Sequence, residues 1–167
     1  MRRSPTFFAA TVALGVLAVA CGDGSPSACA ELREPQDPQS GLHVIDPDGL
    51  TYTTDPPTSG PHASGPPASG VFDGPLLQVM QVRILESGGA IIQYDETVSA
   101  EAVTELTGFV NDSVALDGPV ALAPAGSALP GPIVATAWTW KLTCDVVDLE
   151  RIETFIAERP QDAPGVD

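Results

Sequence analysis

Gly89-Ala90-Ile91-Ile92-Gln93-Tyr94-Asp95 is the stretch on which the fold turns. Its β-branched and aromatic residues predict a strand over Ala90–Tyr94. Immediately downstream, Ser99 can cap a helix running from about Ala100 to Asn111, with Glu101 in the first turn and Val103, Leu106 and Val110 on one face. Val120–Ala123 and Ile133–Leu142 read as two further strands. Asp148 then caps a last helix whose Leu149, Ile152, Phe155 and Ile156 form an apolar stripe. The order strand, helix, strand, strand, helix predicts an α+β domain, a small mixed sheet with helices on one face.

Upstream of Gly89 the pattern changes. Leu76–Ile84 is apolar and fits helix or strand alike. Glu31–Gly70 carries Pro35, Pro38, Pro47, Pro56, Pro57, Pro61, Pro66 and Pro67, which exclude a long helix because each lacks a donor and restricts its predecessor. The domain is therefore preceded by a long Pro/Gly-rich extended segment. Within that segment Gly41-Leu42-His43-Val44-Ile45 reads as a short strand and Asp46-Pro47-Asp48-Gly49 as a turn.

The N-terminus reads as a targeting sequence. Arg2 and Arg3 precede an uncharged run from Phe7 to Ala20, which is short of the about twenty apolar residues that span a bilayer. Ala18-Val19-Ala20-Cys21 resembles the lipobox of bacterial lipoproteins, with Ala18 where Leu is usual. Residues 1–20 are thus expected to be a signal peptide, and Cys21 a lipidated first residue anchoring the mature chain to a membrane of the cell envelope, outside the cytoplasm. The alternative is an ordinary secretory signal that leaves Cys21 a plain thiol. Residues 21–40, opening with Gly22-Asp23-Gly24-Ser25-Pro26-Ser27, are expected to form a tether, residues 41–164 a single α+β domain and residues 165–167 a C-terminal tail.

Charge narrows the partners. The chain has 7 basic and 22 acidic residues, for a formal net charge of -15. Such a surface repels nucleic acid, whose binding needs Lys and Arg to replace counterions, so no nucleic-acid partner is expected. Beyond Cys21 only Cys29 and Cys144 remain. Two cysteines in an oxidising compartment predict one disulfide, and the close CxxC spacing of a redox pair is absent.

Several strings carry a resemblance. Tyr52, Pro56-Pro57-Thr58-Ser59-Gly60-Pro61-His62, a Leu-Glu-x-Gly-Gly turn feeding Ile91-Ile92-Gln93-Tyr94, and Ala135-Thr136-Ala137-Trp138 together resemble the bacterial domain of unknown function family 3105. The resemblance covers roughly Gly41 to Pro164 and implies a secreted or membrane-anchored protein with no assigned activity. It also implies a motif like H-x-x-E-H-G, which here reads Arg83-Ile84-Leu85-Glu86-Ser87-Gly88: Glu86 and Gly88 stand, and Arg83 and Ser87 replace both histidines.

His43 and His62 are the chain's two histidines. With Glu86 they make a candidate metal-ligating set, since two imidazoles and a carboxylate are a known zinc combination. Arg83 would set a permanent positive charge against that cation, or pair with Glu86. The structural alternative has His62 bracing the PPTSG turn and His43 on a sheet edge. Trp138 and Trp140, separated by Thr139, are expected to share one strand face. They are either core or an aromatic platform for a carbohydrate or peptide. Neither a serine triad nor a phosphate-cradling loop is legible. The expectation is a non-catalytic binding or envelope-accessory module with no cofactor. The competing expectation is a metal-binding protein or metal-dependent enzyme using His43, His62 and Glu86.

Overall fold

The computed structural model describes residues 28–113 and 118–166. The expected signal peptide and Cys21 lie outside them. Among the described residues eight strands and three helices follow in the order β1 (Cys29–Arg33), β2 (His43–Val44), β3 (His62–Ala63), β4 (Gly70–Val71), α1 (Gln78–Glu86), β5 (Ala90–Tyr94), α2 (Ala100–Asp112), β6 (Val120–Pro124), β7 (Ile133–Ala137), β8 (Trp140–Cys144) and α3 (Leu149–Glu158), with a 3-10 turn over Arg159–Asp162. Six strands form one mixed sheet in the order β1-β8-β7-β5-β6-β4, and β2 and β3 form a separate pair. The α+β class and the mixed sheet expected from the sequence are what the structure shows.

β5 pairs parallel to β6 and antiparallel to β7. The parallel β5–β6 pair needs a crossover longer than a hairpin loop, and α2 supplies it. Ser99 caps α2 by accepting from the Ala102 N–H, and Asp148 caps α3 by accepting from the Arg151 N–H.

The helices do not keep to one face. Ala90 and Ile92 of β5 join a core with Leu106 and Val110 of α2 and Ile152, Phe155 and Ile156 of α3. Ile91 between them joins a second core with Val82, Ile84 and Leu85 of α1, Trp138 and Ala163. An uninterrupted apolar strand such as β5 is buried on both sides, and a cover on one side alone would leave Ile91 in water. The ambiguous Leu76–Ile84 run supplies that second cover as α1.

Four further expectations change. Ile133–Leu142 is a hairpin rather than one strand: Ala137 pairs with Trp140, and Thr139 turns the chain with φ 59°. Trp138 and Trp140 consequently lie in different cores and form no shared platform. Trp138 is buried against α1, whereas Trp140 stacks under Arg159 and Arg33 and donates to Asp162. Cys29–Arg33, assigned by composition to the tether, is an edge strand antiparallel to β8. Its first residue pairs with the last of β8, and these two, Cys29 and Cys144, are joined by the disulfide. The tail is tied as well, since the Gly165 N–H donates to the Glu86 carbonyl at 2.9 Å.

Candidate functional site

The string Pro56–His62 is a loop that runs into β3 at His62, yet all seven residues are buried. A buried loop must satisfy most of its polar groups internally, and the sequence provides partners for several of them. The Thr58 hydroxyl donates to the Glu34 carboxylate at 3.0 Å, and Glu34 is in turn paired with Lys141 at 2.9 Å. The Ser59 hydroxyl accepts from the Asp37 N–H at 2.8 Å. Gly60, at φ 134°, lies so close to the Tyr52 ring that a β-carbon there would sit 2.8 Å from it. The Tyr52 hydroxyl donates to the Pro61 carbonyl at 2.9 Å. Burial, then the nearby Asp37 carboxylate, pushes the Tyr52 phenol up to about 12. The product of all this bracing is the position of His62, whose side chain is fully buried.

His43 reaches His62 through the short β2–β3 pair. The strands are parallel with His43 directly opposite His62, and the His62 N–H donates to the Leu42 carbonyl at 2.9 Å. Directly paired residues point to the same face, so the two rings meet edge to face with centroids 4.6 Å apart. His43 is on the solvent side of the pair.

Glu86 arrives from the last turn of α1. That helix ends where the Leu-Glu-x-Gly-Gly string places a stop: Gly88 is left-handed at φ 76°, its N–H donates to Leu85, and the Gly89 N–H donates to Ile84. This is the Schellman arrangement that glycine permits at a helix end. It fixes Glu86 with one carboxylate oxygen 2.6 Å from His62 Nε2. The approach is off hydrogen-bond alignment, and buried Nε2 has no aligned partner. His62 Nδ1 lies 3.4 Å from the Gly60 carbonyl, so the histidine also braces its own loop.

The ligating atoms of His43, His62 and Glu86 all lie within 4.8 Å of one another. Burial lowers the His62 pKa; the Glu86 carboxylate and the Gly60 carbonyl oppose that shift, and His43 and Arg83 add to it. The imidazole is consequently held neutral, with a lone pair available to a cation. Arg83 stands beside the set. Its Nη1 donates at 3.0 Å to the same Glu86 oxygen that meets His62, and its Nε donates at 2.7 Å to the Gly65 carbonyl. Ser87 donates to the Arg83 carbonyl, a helix-end contact.

The structure therefore gathers His43, His62, Glu86 and Arg83 at one place and leaves Trp138 and Trp140 elsewhere. Sequence reasoning missed the supports: Glu34, Asp37, Tyr52, the Gly65 carbonyl and Lys141, whose sequence neighbours give no sign of the loop they hold. A cavity of about 370 Å³ lies away from these side chains, lined by Gly88, Ala90, Val120, Ile156 and Pro160 among others. No titratable side chain lines it.

The family described as "Protein of unknown function (DUF3105)" matches this chain over residues 43–166. No curated protein and no solved structure matches it. With most of its length matched, the chain belongs to that family.

Proposed function

We propose that this member of the family is a non-catalytic, lipid-anchored binding module outside the cytoplasm, and that its histidine site takes a divalent transition-metal cation. The observation that carries the metal assignment is the convergence, within 4.8 Å, of ligand atoms from three separate elements. Two imidazoles and a carboxylate are a donor set that leaves a further coordination position open on zinc. The neutral state of His62 suits a ligand, because a metal and a proton compete for the same lone pair. Binding without catalysis is favoured by the remaining neighbours. Arg83 and the Gly65 carbonyl are neither base nor nucleophile, and Glu86 is itself taken up as a ligand.

The anchor is supported by Arg2 and Arg3, the apolar run Phe7–Ala20 and the lipobox-like Ala18-Val19-Ala20-Cys21. The Cys29–Cys144 disulfide agrees with an oxidising compartment.

Calorimetric titration of Zn²⁺ and Cu²⁺ into the purified protein, without a histidine tag, tests the metal assignment. Because Arg83 opposes the cation, the expected affinity is only micromolar, about 8 kcal/mol. Saturation should occur at one ion per chain and be lost in His62→Ala. A protein that binds neither ion refutes the assignment. Mass spectrometry of the mature N-terminus tests the anchor; an unmodified Cys21, or cleavage elsewhere, refutes it.

A further inference from the structure

We infer that metal capture at this site is linked to an anion: Arg83 recruits a small oxyanion, a carboxylate or bicarbonate, that completes the coordination of the cation held by His43, His62 and Glu86. This rests on the metal assignment above and adds a co-ligand of stated chemistry to it.

Arg83 is held by only part of its guanidinium. A guanidinium offers five N–H donors and does not deprotonate in proteins. Two of them are placed, Nε on the Gly65 carbonyl at 2.7 Å and Nη1 on Glu86 at 3.0 Å. No other described group partners the rest, and the side chain remains 26% exposed. The Gly65 bond holds the group at the site, while the free part of the fork opens toward water.

Now place a divalent cation on the three donors. Two neutral imidazoles and one carboxylate leave the cluster with a net positive charge, and the Arg83 guanidinium adds another beside it. The Glu86 carboxylate that had balanced Arg83 is then shared with the metal. Neither positive partner can relieve the strain alone: the arginine keeps its charge, and its Nε tie keeps it near. The open coordination position would ordinarily take water, which is neutral and leaves the repulsion in place. A planar oxyanion resolves both problems together. One oxygen completes the metal, and another accepts from the guanidinium fork, whose geometry matches carboxylate-type anions.

The chain's overall charge gives the order of events. At -15 the protein repels free anions, so the oxyanion should enter only once the cation has made the site locally positive. By linkage each ligand then strengthens the other by the same factor. A histidine at position 83 would remove the opposing charge and could add a neutral donor in place of the anion.

The experiment titrates Zn²⁺ into the full, untagged protein in perchlorate, and again with bicarbonate or acetate at equal ionic strength. Affinities are corrected for complexation of the ion in solution, and Co²⁺ absorption reports the coordination sphere. Arg83→Gln is compared with the wild type, and Arg151→Gln, which lies on α3 and pairs with Glu31, serves as a control arginine. For the wild type, at least one of the two anions should tighten Zn²⁺ binding about tenfold and shift the Co²⁺ bands; which one does so identifies the source. Arg83→Gln should still bind the metal, with equal or better affinity in perchlorate, but show no response to either anion. Arg151→Gln should respond as the wild type does. Equal wild-type affinity in all three media, or a full anion response in Arg83→Gln, overturns the linkage and leaves the metal assignment standing. Absence of metal binding in every medium overturns both.

Discussion

Replacing Lys141 with Met should cost this small domain a large part of its stability. Lys141 and Glu34 are 2.9 Å apart, with side chains only 5% and 12% exposed. The ammonium also donates to the Asp55 carbonyl at 3.2 Å, and the second Glu34 oxygen accepts from Thr58. Met fills nearly the same volume without charge, so the loss falls on Glu34, left buried with a single hydroxyl partner. Breaking one half of a buried pair costs about 3–5 kcal/mol, against a total stability of about 5–15 kcal/mol for an ordinary domain. Neutralising Glu34 as well, in a Glu34→Gln, Lys141→Met double variant, should return about 2 kcal/mol of that loss, because no uncompensated charge remains. Urea unfolding followed by circular dichroism gives both values. The same variants should weaken zinc binding, since Thr58 is four residues from His62 on the loop this pair holds. A Lys141→Met cost below about 1 kcal/mol, or a double variant equal to the sum of the singles within about 0.5 kcal/mol, would refute the view that this pair holds the loop.

The Cys29→Ser, Cys144→Ser variant closes no loop. With the cysteines 115 positions apart in sequence it should lose up to about 5 kcal/mol in the loop-entropy treatment, read as a lower urea midpoint under non-reducing conditions. Tyr52 predicts a pH dependence. Its phenol is raised from 10.0 to about 12 in the folded protein, so the unfolded chain loses the proton first, and stability should fall as pH rises from about 10 to about 12. Tyr52→Phe should flatten that part of the melting-temperature profile relative to wild type, and an unchanged slope would show that the phenol is not its source. Arg83→His with Ser87→His should raise zinc or copper affinity about tenfold or more by exchanging a repelling cation for added donors; calorimetry showing no gain would mean these positions do not face the metal.

The strands and helices after Gly89 were legible because each carries its own period and its own cap. Ser99 and Asp148 act where the sequence placed them, and β5 coincides with the quoted stretch. What was not legible depended on contacts distant in sequence. The one-face expectation failed because the apolar run Ala90–Ile92 is compatible with burial on one side or both, and only the placement of α1 decides. The single strand Ile133–Leu142 failed because Thr139 is not a residue that announces a positive φ. Cys29–Arg33 follows a Gly/Ser/Pro segment, and only its pairing with β8, more than a hundred residues away, makes it a strand. The site itself was half legible. His43, His62, Glu86 and Arg83 were named from residue type and resemblance. The ion pair and the aromatic ring that hold His62 in place were not, since nothing local connects Glu34 to Lys141 or Tyr52 to Gly60.

The disulfide also determines how the domain answers a pull. Tension arriving along the chain from upstream enters β1 at Cys29, its first residue. β1 is an edge strand antiparallel to β8, so such a force would peel the two apart one rung after another, the geometry in which a sheet is mechanically weakest. The Cys29–Cys144 bond sits at the first rung to be loaded and passes the force covalently into β8, an interior strand, before any rung between Ala30 and Arg33 is stressed. In the oxidised protein a pull from upstream of Cys29 is thus carried straight into an interior strand of the sheet. Reduction would move the load onto the hydrogen bonds of β1 alone, and an edge unzipped as far as Arg33 would pass the pull to Glu34, which braces the loop that holds His62.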